Sequence, residues 1–192
     1  QAFQYRQAVG PQDEQCVALG TSAAHHLGRA GERALASGDV AAAASLFERA
    51  TAALDKSDPR RLELLASLGM ARIATGELET ALEALVEAVE RAEARGDRRT
   101  RCRASVECAR IGFLTGRIGP DEARMEAEGA IAELEAFDDD LGLAKAWLLL
   151  VFVHNWHLEY SALDRAADRA RLHARRAGAV RDAADALGWI AP

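Results

Sequence analysis

Few side chains here have the types and spacing that chemistry needs. His154 and His157 stand three apart, which on a helix places both imidazoles on one face and suits two ligands of a metal ion. No HExxH surrounds them, however, and Trp147, Phe152, Trp156 and Tyr160 nearby read as a packed aromatic cluster, so the histidines are expected to be structural. His25 and His26 are adjacent and fall on different helix faces. Asp138, Asp139 and Asp140 follow an acidic stretch bearing Glu122, Glu126, Glu128, Glu133 and Glu135; adjacent acids in a turn read as a solvated cap at a helix N-terminus. Arg98, Arg99, Arg101 and Arg103 form a basic run, and another runs from Arg165 to Arg181, without the interleaved aromatics of a strand-binding groove. Their expected use is pairing with the acidic helices. Arg95-Gly96-Asp97 spells an adhesion tripeptide but reads as a helix end followed by a cap.

Nucleotide chemistry has no carrier. GxxxxGK[ST] is missing, Lys56 and Lys145 are the only lysines, and Gly112 to Gly116 is a lone GxxxG that reads as close packing. Cys16, Cys102 and Cys108 show neither a disulfide framework nor CxxC spacing and read as reduced thiols. No catalytic residue, metal ligand or cofactor site is assigned, and no enzyme is expected. The net charge of −6 argues against a nucleic-acid partner. The longest apolar run, Trp147 to Val153, is far short of the ~20 residues a membrane span requires, and a cytoplasmic location is expected.

The elements are helices. Hydrophobic residues make up 49% of the 192 but aromatic ones only 5%, so alanine and leucine carry the apolar content and favour helix over strand. Pro11, Pro59 and Pro120 fall between periodic segments as punctuation. A repeated frame runs along the chain: Leu27, Ala30, Gly31 and Ala34, a turn at Gly38, then Ala43, Phe47 and Ala50. It returns as Leu65, Leu68, Gly69, Gly76, Ala81, Leu85 and Ala88, and again as Cys108, Ala109, Gly116, Ala123, Ala127 and Ala130. A fourth copy carries Trp147, Leu150, Val151, Leu163, Ala167 and Ala170. Small residues recur because a larger side chain at a close crossing would push helix axes beyond the usual separation. This is the tetratricopeptide pattern, with turns 38 and 40 residues apart, longer than the common period.

The expected fold is all-α, a right-handed α-solenoid of antiparallel helix pairs. A lead-in from a preceding domain occupies residues 1–23, with Gly10-Pro11 breaking it and a helix from near Gln12 running through His26. Four repeats span about 24–57, 62–95, 102–137 and 144–177; residues 178–192 would be the first helix of a fifth, with Leu187-Gly188 matching its frame. The chain reads as an excised fragment.

The segments FQYRQAVGPQDE, HHLGRAGERALASGDVAAAASLFERA, DDDLGLAKAWLLLVFVHNW and ARRAGAVRDAADALGWIA are similar to the C-terminal arrays of large bacterial regulators. In that family a class III adenylate or guanylate cyclase domain precedes an AAA or STAND-type ATPase domain, which precedes tetratricopeptide repeats. The resemblance implies a regulatory module whose catalytic domains lie upstream. Leu158 stands where the family usually has its turn glycine, which puts that turn's geometry in question.

In such solenoids the first helix of each pair lines the concave face. Helical period then gives its outward residues: His25, Glu32 and Leu35; Glu63, Met70 and Ile73; Arg103, Arg110 and Phe113; Lys145, Phe152, Asn155 and Trp156. Apolar residues within a charged rim suit an amphipathic helix or extended peptide, from a partner protein or another domain of the same protein. Gly28 and Glu32 replace the lysine and asparagine of the subtype that clamps a C-terminal carboxylate, so chaperone-tail binding is not expected. The expected function is a non-catalytic interaction module of a signalling protein; the alternative is structural self-association as a homodimer.

Overall fold

A computed structural model of the protein describes residues 14–179. Among them are eight α-helices and no strand: α1 (Glu14–Ala36), α2 (Val40–Ala53), α3 (Arg61–Thr75), α4 (Leu78–Arg95), α5 (Arg98–Leu114), α6 (Pro120–Glu135), α7 (Asp140–Trp156) and α8 (Tyr160–Arg176). The protein is therefore all-α, as composition and period require. α1 runs unbroken across residue 23, where lead-in and first repeat were expected to meet. The expected break at Gly10-Pro11 and the fifth-repeat helix with Leu187-Gly188 lie outside the described residues.

One turn design recurs. Gly38, Gly76, Gly96, Gly116 and Gly178 all hold left-handed backbone, φ between +68° and +83°. Each lets the following N–H reach back to a carbonyl of the last helical turn, as Asp39 N does to Ala34 O at 2.9 Å and Asp97 N to Ala92 O at 2.9 Å. After Gly38 and Gly96 the next residue caps the following helix: Asp39 accepts from Ala42 N and Asp97 from Thr100 N, both at 3.0 Å. Asp138 (φ +49°) and Leu158 (φ +59°) reproduce the left-handed turn without glycine. Glu159 N still reaches His154 O at 2.9 Å, so the turn questioned at Leu158 keeps the geometry of the others.

The chain divides into two compact units, residues 1–91 and 92–192, the boundary lying within α4. In the first, α2 packs on α1 and on α3. Gly31 and Gly69 are points of closest approach: a Cβ on Gly31 would lie 2.8 Å from the Phe47 ring, and one on Gly69 2.5 Å from Leu85 Cγ. Phe47, Leu65, Leu68 and Leu85 are buried there, each side chain worth roughly 1.5–3 kcal/mol by area. In the second, α6 packs on α5 and α7, α7 on α8, and α5 also reaches α7, its next neighbour but one. α7 is buried on nearly all sides, through Leu143, Ala146, Leu149, Leu150 and Val153 among others, which is why its sequence shows little amphipathic contrast.

Candidate partner-binding face

In the first unit, His25 and Glu32 are exposed on α1, with Leu35 half-buried; on α3, Glu63 is exposed and Met70 and Ile73 half-buried. Gly28 lies between His25 and Glu32, and a Cβ there would meet Leu64 Cδ2 at 3.0 Å, so the first helices of the two pairs touch at this point. Beside it opens a cavity of about 140 Å³ lined by His25, Glu32, Leu54, Arg60 and Leu64. Arg60 closes one side, donating to Thr21 Oγ1 at 3.0 Å and Asp58 Oδ2 at 2.7 Å. The fold brings His25 and Glu32 to this cavity; Leu35, Glu63, Met70 and Ile73 do not line it. The His25 and His26 rings, though adjacent in sequence, meet edge-on with centroids 5.5 Å apart.

In the second unit, charge and aromatic contacts tie α5 to α7. Glu107, buried on α5, accepts from Arg110 Nε at 2.7 Å, and Lys145 Nζ of α7 stands 3.6 Å from its other oxygen. Burial alone would raise the Glu107 pKa; the charges of Arg110 and Lys145 outweigh it and hold the carboxyl below its ordinary range. Further along the same two helices, the Phe113 and Trp156 rings meet edge-on, centroids 6.0 Å apart. Trp156 nevertheless remains 68% exposed. Phe152 is half-buried against the core, and Asn155 is half-buried.

Arg103 turns to a different task. Its guanidinium is bound to Asp139, which also accepts from Arg99 Nε at 2.9 Å and from Gly142 N at 3.0 Å. Asp139 was expected to be a solvated cap; it caps α7 but is fully buried, because two arginines from α5 close over it. Burial pushes its pKa up, and the hydrogen bonds from Arg103, Arg99 and Gly142 N–H pull it below the ordinary aspartate value. The rest of the basic run pairs as expected: Arg101 and Arg98 both reach Glu133, at 3.0 and 3.4 Å.

The aromatic cluster expected of Trp147, Phe152, Trp156 and Tyr160 does not form. Trp147 and Trp156 are about 180° apart on α7, so Trp147 packs half-buried on the core while Trp156 turns to Phe113. Tyr160 is exposed, as is Leu158 at 67%. Glu107, Asp139 and Leu158 are the residues of the site that sequence reasoning did not select. Leu158 carried a signal in its place at a glycine turn and Glu107 in the arginine at i+3, while nothing marked the burial of Asp139.

His154 and His157 do not converge on a common ligand. His154 Nδ1 lies 2.7 Å from Glu159 Oε2, and His157 caps the end of α7. Among the described residues no group of three or more His, Cys, Asp or Glu side chains is placed to hold a metal ion. The three cysteines are free thiols, and burial pushes Cys102 and Cys108 up to about 11. No helix among the described residues is long and apolar enough to cross a membrane.

Among the described residues the fold is all-helical, and the face sets an exposed tryptophan beside helices tied by ion pairs. No protein-family model matches the chain, and no curated protein matches it.

Proposed function

We propose that the chain is a non-catalytic interaction module, a right-handed α-solenoid of tetratricopeptide-like antiparallel helix pairs, that holds an amphipathic helix or extended peptide. The solenoid reading is supported by first helices touching across successive pairs: α1 and α3 at Gly28, α5 and α7 through Glu107 and Lys145. The observation that carries the function is Trp156, two-thirds exposed yet fixed against Phe113, with Arg110 and Lys145 further along the same helices. A large ring kept in water and immobilised loses little entropy on binding, which is how aromatic hot spots work. Leu158, also exposed, stands on a left-handed turn that costs a leucine about 1 kcal/mol, and strained residues gather at functional sites.

The resemblance to cyclase and ATPase regulators gives this module its setting: it would relay contacts with a partner, or with another domain, to catalytic domains upstream. Assays of ATP and GTP turnover on this chain should therefore give background rates. The direct test is selection of helical and extended peptides on the immobilised chain. Enrichment of sequences with apolar residues at i, i+3/i+4 and i+7, lost on Trp156→Ala, is the expected result. A selection that enriches nothing, or whose peptides bind Trp156→Ala equally well, would remove this face as the binding site.

A further inference from the structure

Two exposed helix faces, one in each unit, carry the same spacing with opposite charge. On α4, Glu79, Glu83, Val86 and Glu90 occupy positions i, i+4, i+7 and i+11, which gathers them within about 60° of arc over about 17 Å. All four are exposed, Val86 at 42%. On α8, Arg165, Arg169, Leu172 and Arg176 occupy i, i+4, i+7 and i+11 in turn, all exposed, Leu172 at 40%. Neither stripe can roll inward, because the opposite sides of the helices are locked in the core by Ala81, Ala84 and Ala88 on α4 and by Leu163, Ala167 and Ala170 on α8.

A solvated face ordinarily mixes both signs. Like charges at i, i+4 also weaken the helix that bears them, so each stripe costs its own helix some stability. Asp164 and Asp168 flank the basic stripe, but Asp168 is held by Arg171 at 2.8 Å, the one arginine ion pair on α8 among the described residues. On α4 the acidic face continues through Glu93.

We propose that the two stripes dock on each other between copies of this chain, α8 of one copy lying along α4 of the next. With the helices running in the same direction, Val86 falls opposite Leu172 and each glutamate opposite an arginine. The contact joins two different surfaces, and each copy carries both of them. It is small and charge-dominated, hence weak and salt-sensitive. It uses neither Trp156 nor Phe113 and stands independently of the peptide-binding face.

Sedimentation of the full chain from tens to hundreds of micromolar tests it. The expected result at low salt is a mean mass that rises above the monomer with concentration, with association weakened on the order of tenfold at high salt. Glu83→Lys/Glu90→Lys should be monomeric, as should Arg169→Glu/Arg176→Glu, which alters the arginines opposite those glutamates. Their equimolar mixture should associate again, because the two reversed stripes match each other and the two unaltered stripes still match. Circular dichroism checks that both variants keep their helix content; if either loses it, the neutral Gln variants at the same positions take their place and should also be monomeric. Trp156→Ala should associate like the unaltered chain. A chain that stays monomeric at low salt, reversed variants that still associate, or a mixture that stays monomeric would each overturn the proposal.

Discussion

Asp139 sits buried between two arginines and a helix N-terminus, and its charge is what those partners hold in place. Asp139→Asn keeps the cap but leaves Arg99 and Arg103 facing a neutral amide. Removing one partner of a buried pair usually costs 3–5 kcal/mol; here both arginines are partly exposed and can rehydrate, so a loss of about 2 kcal/mol by urea unfolding is expected. The pH dependence has a definite sign. The folded-state pKa of Asp139 lies below that of the unfolded chain, so its contribution is complete above the unfolded value of about 4 and is lost as pH falls through the folded one. Glu107 acts in the same direction. Unfolding free energy measured below about pH 4 should therefore fall steeply, and less steeply in Asp139→Asn. Equal slopes would mean that Asp139 titrates normally.

The helices were legible where local physics sets them. Turn glycines at 38, 76, 96 and 116 mark ends that any left-handed cap must use, and Asp39 and Asp97 mark the starts that follow. The burial of Asp139 was not legible, because nothing within its own run of three acids distinguishes it; the choice is made by arginines 36 and 40 residues away. Glu107 shows the same limit: its Arg110 partner is visible at i+3, but Lys145 arrives only through packing of α5 on α7. For the face, Phe113 and Trp156 were selected by period alone, whereas their meeting depends on that same packing. At the α7–α8 turn, Leu158→Gly should relieve left-handed strain and stabilise the fold by about 0.5–1 kcal/mol, read as a rise in the melting temperature. A fall would show that the leucine side chain contributes more in its place than its backbone costs.

Each unit is held by buried apolar side chains, Phe47, Leu65 and Leu85 in the first and Leu134, Leu149 and Val153 in the second, while the aromatic surface at Trp156 stays open. The central claim is that Trp147 serves the fold and Trp156 serves a partner. It is tested by melting Trp147→Ala and Trp156→Ala beside the unaltered chain and titrating each with a peptide selected on that chain. Trp147→Ala should lose on the order of 3 kcal/mol, the low end for tryptophan because the ring is half-buried. Trp156→Ala should melt within a degree or two of the parent yet bind the peptide at least about tenfold more weakly. If Trp156→Ala unfolds as readily as Trp147→Ala, or keeps full affinity for the peptide, the assignment of this face to a partner is wrong.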